Sequence, residues 1–120
     1  MEKARMKNPI TAHVLDITKG RPAAGITVVL EVHSDASGWK ELARAETDND
    51  GRINDWRPQS SNIAPGIYRL TFHTAHYFRS LGATGFYPYI PVVFELQDTA
   101  AHYHVPLLLS PYGYSTYRGS

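Results

Sequence analysis

Apolar and polar residues alternate with a period of two along most of the chain, the spacing at which successive strand side chains point to opposite faces. Turn residues interrupt the alternation every ten or so positions, which predicts at least six strands. The first runs from about Ile10 to Ile17 and closes at Lys19-Gly20-Arg21-Pro22. A second covers Ile26 to His33, with Ile26, Val28, Leu30 and Val32 on one face and Thr27, Glu31 and His33 largely on the other. Trp39 to Ala45 forms a third, between the turns Asp35-Ala36-Ser37-Gly38 and Asp48-Asn49-Asp50-Gly51. Pro65-Gly66 introduces Ile67 to His73, where Tyr68, Leu70 and Phe72 alternate with Arg69, Thr71 and His73. Tyr89 to Leu96 and His102 to Ser110 are the last long strands. Pro91 and Pro106 are expected at an edge or a bulge, because proline cannot donate to the ladder. Tyr112 to Ser120 alternates only weakly. Thr74 to Leu81 breaks the pattern and predicts one short helix, with Thr74 as N-cap and Gly82 as the left-handed stop.

Such a series of short strands points to an all-β sandwich of two antiparallel sheets with one short helix. A chain of 120 residues with 42% hydrophobic and 19% charged residues supports one core. The expected organisation is an N-terminal extension over residues 1–8, taken as flexible, and a single domain over 9–120. Twelve basic against eleven acidic residues give a charge of +1, and no charge run exceeds two residues, which argues against nucleic-acid and membrane-surface partners. The chain has no Cys, so disulfides and thiolate chemistry are excluded. Lys3, Arg5 and Lys7 precede no apolar stretch of the secretory kind, no segment is long enough to span a bilayer, and Arg118-Gly119-Ser120 is not a peroxisomal signal, so the cytoplasm is the expected compartment.

The candidate chemistry lies in the histidines and one arginine. Thr11, His13 and Leu15 share a strand face, as do His102, His104, Pro106 and Leu108; Tyr103, Val105, Leu107 and Leu109 form the more apolar set, which places His104 on the outer face. A strand histidine by itself is more often a surface or interface residue than a catalyst. His102 and His104 project together and could form half of a metal site, but no carboxylate cluster stands near them in sequence, and no metal is assigned. Glu46 to Gly51 superficially resembles the start of a calcium loop; its twelfth position would be Arg57 instead of the required Glu, so calcium is rejected. The turn aims Arg52, which on these grounds alone fits an exposed ion pair better than a functional guanidinium. No phosphate loop, Gly-x-Ser-x-Gly elbow or zincin motif occurs.

Several segments together resemble the transthyretin-related family, in particular its branch of hydrolases acting in urate breakdown. They are Ile10-Thr11-Ala12-His13-Val14-Leu15-Asp16 with Gly20-Arg21-Pro22-Ala23, then Thr47-Asp48-Asn49-Asp50-Gly51-Arg52, Phe86-Tyr87-Pro88-Tyr89-Ile90-Pro91, His104-Val105-Pro106-Leu107-Leu108-Leu109-Ser110-Pro111, and the tail Tyr117-Arg118-Gly119-Ser120. The tail is the most specific element, since it marks the hydrolases and is absent from the hormone carriers. The resemblance implies a transthyretin-like Greek-key β-sandwich assembled as a homotetramer, a dimer of dimers with sites at the dimer-dimer interface. It implies hydrolysis of a purine-derived small molecule, 5-hydroxyisourate, with His13, Arg52 and His104 as catalytic cluster. It further implies that Tyr117, Arg118, Gly119 and Ser120 contact substrate together with His13 and Arg52.

The implied reaction opens a cyclic amide with water. It needs a base, a donor for developing negative charge and rigid placement of the ring. An imidazole titrating near about 6.5 suits the base, for which His104 is the candidate. Arg52 offers a permanently charged fork of donors. His13 either orients the other imidazole or protonates the leaving nitrogen. No cofactor is expected, because the implied reaction already proceeds unaided. The competing reading is a transthyretin-like carrier that binds a small molecule without chemistry; it predicts an apolar channel mouth, where this chain places imidazoles and a guanidinium.

Overall fold

The structure is a computed structural model that describes residues 9–56 and 63–120; the extension expected over residues 1–8 lies outside the described residues. Among them the chain forms nine strands and one helix: β1 (Ile10–Asp16), β2 (Arg21–Pro22), β3 (Thr27–Ser34), β4 (Gly38–Glu46), β5 (Arg52–Ile53), β6 (Gly66–His73), α1 (Ala75–Ser80), β7 (Ile90–Leu96), β8 (Tyr103–Ser110) and β9 (Gly113–Thr116). One sheet has the order β2-β1-β8-β9, with β5 also paired to β1, and the other has the order β4-β3-β6-β7. This is the all-β sandwich that the alternation predicts. One pairing departs from a purely antiparallel arrangement: β1 and β8 run parallel. Strands so far apart in sequence need no tight hairpin between them, so nothing forces them antiparallel.

The core lies between the sheets. Val28 and Leu30 of β3 and Tyr68, Leu70 and Phe72 of β6 meet Ile10, Ala12 and Val14 of β1 and Leu107 and Leu109 of β8, all buried. Each of the larger side chains contributes about 1.5–3 kcal/mol of burial. The few polar groups in this interior are satisfied. Trp56 Nε1 donates to the Ile10 carbonyl at 2.8 Å. Tyr77 on α1 donates its hydroxyl to Asp16 Oδ2 at 2.7 Å, while the Thr18 and Lys19 amides donate to Asp16 Oδ1 at 3.0 and 3.1 Å. These bonds pin the helix and the first turn to the end of β1.

Two local expectations need correction. Thr74 occupies the N-cap position, but its hydroxyl does not cap α1; its backbone is helical (φ −90, ψ −18) and the buried hydroxyl donates instead to the Tyr87 carbonyl at 3.3 Å. Gly82 adopts the left-handed conformation expected after the helix (φ 73). Pro91 lies on edge strand β7 as expected, whereas Pro106 sits in β8, between β1 and β9. It is tolerated there because it faces a break in the ladder, between the pairs Leu107 with Thr116 and His104 with Gly119. Tyr112 to Ser120 resolves into the hairpin strand β9 and this separate bridge at Gly119.

Candidate functional site

The outer face of the β1-β8 sheet collects the polar groups that the core excludes. In the parallel register Thr11 lies opposite His104 and His13 opposite Pro106, so the even-numbered residues Ile10, Ala12 and Val14 take the inner face and the odd ones turn outward. Antiparallel pairing of β5 with β1 sets Arg52 directly opposite His13. Only two residues long, β5 is held by the turn before it. Gly51 has φ 74, its carbonyl accepts from the Val14 amide at 2.7 Å, and a Cβ at this position would meet the Val14 oxygen at 2.4 Å. Only glycine permits this contact, and Arg52 is aimed by it.

Three residues distant in sequence thus converge. The His13 and His104 rings stand 6.2 Å apart, centroid to centroid, tilted by 38°. His13 Nε2 is 2.9 Å from the Asp50 carbonyl, and because a carbonyl only accepts, this nitrogen carries a proton. His104 Nδ1 is 2.8 Å from Thr11 Oγ1, which is also 2.9 Å from His102 Nε2. Among the described residues no carboxylate lies within ion-pairing distance of the exposed Arg52, so the bland alternative of an exposed ion pair has no partner. His102 and His104 have no third His, Cys, Asp or Glu placed to complete a metal centre among those residues.

The tail reaches the same place unevenly. The Gly119 amide donates to the His104 carbonyl at 2.8 Å, and a Cβ on Gly119 would lie 2.6 Å from His104 Cδ2, so the tail lies flat against the imidazole only because this residue is glycine. Arg118 stacks on Tyr103 with its guanidinium carbon 4.5 Å from the ring centroid, and it donates to the His102 carbonyl at 3.4 Å. Tyr117 and Ser120 are exposed, and among the described residues neither bonds His13 or Arg52. A cavity of about 260 Å³ beside the tail is lined by Val92 to Glu95 of β7, Tyr103 to Val105 and Thr116 to Arg118. It reaches His104 but not His13 or Arg52. It is a cleft between β7, the start of β8 and the tail.

Burial holds His104 below the ordinary histidine range, and the charges of Arg52, His102 and His13 push it further down. A neutral imidazole beside a fixed cation can take a proton from water and have the resulting negative charge neutralised nearby. Sequence reasoning gave Thr11 and Asp50 no role. Thr11 was legible only as a face-mate of His13 two positions away; the Asp50 contact runs through its backbone, which leaves no side-chain signal.

Residues 10–119 match the HIUase/Transthyretin family. The chain is 50% identical over 120 residues to the 5-hydroxyisourate hydrolase of Salmonella dublin, an alignment spanning all of this chain and 87% of that one. Sea bream transthyretin in complex with thyroxine superposes with a TM-score of 0.86 at 31% identity, over 92% of this chain and 94% of that one. Klebsiella pneumoniae 5-hydroxyisourate hydrolase does so with a TM-score of 0.78 at 33% identity, over 92% and 98%.

The depressed value at His104 has a defined sign. The unfolded chain binds the proton more readily than the folded one, so His104 costs stability as pH falls below the unfolded histidine value and has no such effect above it. An NMR titration is expected to place the His104 midpoint below about 6.5. In Arg52→Gln it should rise yet stay below that value, because burial, the larger cause, remains. A wild-type midpoint at or above the unfolded value, or a further fall in Arg52→Gln, contradicts this electrostatic account.

Proposed function

We propose, on the premise that this chain belongs to the HIUase/transthyretin family, that it hydrolyses 5-hydroxyisourate to 2-oxo-4-hydroxy-4-carboxy-5-ureidoimidazoline in urate degradation. The observation that carries the reading is the meeting of His13, Arg52 and His104 on the outer face of one sheet. His104 takes a proton from water through Nε2, its Nδ1 being held by Thr11. The water oxygen attacks the ring carbonyl, and Arg52 stabilises the oxyanion that forms. The C–N bond then breaks, the nitrogen takes up a proton and the carbonyl carbon becomes the new carboxyl group. His13 has its Nε2–H engaged by Asp50, so Nδ1 is the nitrogen that faces the substrate: as an acceptor it orients the ring, and only when the imidazole is doubly protonated can it give its proton to the leaving nitrogen. Tyr117 to Ser120 form the wall of the site.

This chemistry needs no metal or organic cofactor, since general acid-base catalysis contributes roughly a hundred- to ten-thousand-fold on a reaction that proceeds unaided. Carriage of an aromatic hormone on the same fold is disfavoured by two imidazoles and a guanidinium on the face such a ligand would occupy. A cytoplasmic location is part of this reading, and a chain without Cys is compatible with a reducing compartment.

The reading includes a homotetramer, a dimer of dimers. Among the described residues strands β7 and β9 both end their sheets with an unpaired edge, and Val93, Tyr114, Phe86, Tyr89 and Tyr112 are exposed around them. Such edges and apolar residues suit pairing with a second copy. Sedimentation at assay concentration should give four times the chain mass; a monomer there rejects the assembly.

Generating 5-hydroxyisourate from urate in situ and following its decay tests the activity. Wild type should accelerate the decay, and His104→Asn should lose about a hundred- to ten-thousand-fold. Deleting residues 117–120 should also cost most of the activity while the far-ultraviolet circular dichroism stays that of a β-sandwich. Wild-type decay at the spontaneous rate would falsify the hydrolase, and full turnover after the deletion would reduce the tail to a structural strand.

A further inference from the structure

Neither Thr11 nor His102 touches the substrate in the reaction as written, yet Thr11 makes the only hydrogen bond to the His104 ring found among the described residues and links it to His102. The Thr11 hydroxyl is 2.8 Å from His104 Nδ1 and 2.9 Å from His102 Nε2. It has one hydrogen to give, so it donates to at most one ring, and where it does so it accepts from the other. Two arrangements place the Thr11 hydrogen between the rings. In one, His102 donates to Thr11 and Thr11 donates to His104 Nδ1, which leaves the proton of neutral His104 on Nε2. In the other, His104 donates from Nδ1 to Thr11 and Thr11 donates to His102 Nε2, which leaves the lone pair on His104 Nε2.

We propose that Thr11 and His102 are positioning residues that select the second arrangement, holding His104 as the tautomer whose Nε2 can accept a proton from water. This rests on the reading of His104 as base. The geometry suits the task. Thr11 is nearly buried, at 9% exposure, and its branched Cβ restricts χ1, so the hydroxyl oxygen is a fixed point. The His104 backbone is fixed independently by the Gly119 amide. With the backbone held and Nδ1 tied, the ring cannot turn over to exchange its two nitrogens. When Nε2 takes up its proton, the Nδ1–H bond to Thr11 is kept, so the same network serves the imidazole and the imidazolium. A base held by a third group in this manner loses activity when the tautomer is released, even though the base itself is untouched.

The test uses the full chain with ring nitrogens labelled. Wild-type neutral His104 should show a protonated Nδ1 and a bare Nε2. Thr11→Val keeps the shape and removes the hydroxyl; it should move the proton toward Nε2 and lower kcat about 10- to 100-fold, with KM within about twofold because no substrate contact is lost. Thr11→Ser, which restores the hydroxyl, should recover the wild-type tautomer and most of kcat. His102→Leu removes the acceptor and should act in the direction of Thr11→Val. A wild-type His104 protonated on Nε2, or a Thr11→Val enzyme with unchanged tautomer and kcat, overturns the proposal. Were the wild type inactive on 5-hydroxyisourate, the hydrolase reading would fail, while the nitrogen spectra would still decide whether Thr11 and His102 set the tautomer.

Discussion

The parallel pairing of β1 with β8 seats Thr11 beside His104 and His13 beside Pro106, and the candidate site exists only in that register. Side chains alternate with period two, so a slip of β1 by one residue along β8 would turn Ala12 outward and His13 inward and take Thr11 away from His104. Each imidazole would then lose its partners, at about 1–3 kcal/mol for every unsatisfied polar group. Ile10, Ala12 and Val14, together with Tyr103, Val105, Leu107 and Leu109, hold the opposite face against the core. Apolar packing on one side of the sheet therefore sets the geometry of the polar groups on the other.

Much of this was legible in the chain, for a local reason. The long strands carry their own alternation, so Tyr68, Leu70 and Phe72, or Tyr103, Val105 and Leu107, declare an inner face without knowledge of their neighbours. What remained hidden depends on contacts distant in sequence. The two residues of β5 have no period to read and exist because Gly51 lies against β1. The parallel sense of β1 and β8 follows from the route of the chain between them. Pro106 was expected at an edge or bulge because proline cannot donate to a ladder, and the break opposite it depends on a tail that could not be placed from the sequence. The cap expected of Thr74 failed because a buried hydroxyl takes the acceptor that the interior offers, here the Tyr87 carbonyl.

The candidate site divides in the same way. Residue type and family resemblance single out His13, Arg52, His104 and the tail, and the register brings the first three together. The groups that hydrogen-bond the two imidazoles of the cluster are a threonine and a backbone carbonyl, neither of which stands out in a sequence. Fold alone is silent on function, since the same sandwich superposes on a transthyretin that binds thyroxine and on a hydrolase. What separates the two readings is the polarity of one sheet face and the glycine that lets the tail lie on His104.

The central claim is that His104 and Arg52 act on one transition state as a unit. A double-mutant cycle on kcat/KM with Arg52→Gln and His104→Asn measures this most directly. The account predicts a double mutant hardly slower than the worse single mutant, because removing either group already disables proton transfer to a stabilised intermediate. Losses that multiply through the cycle would mean that the two groups act independently, and would contradict it.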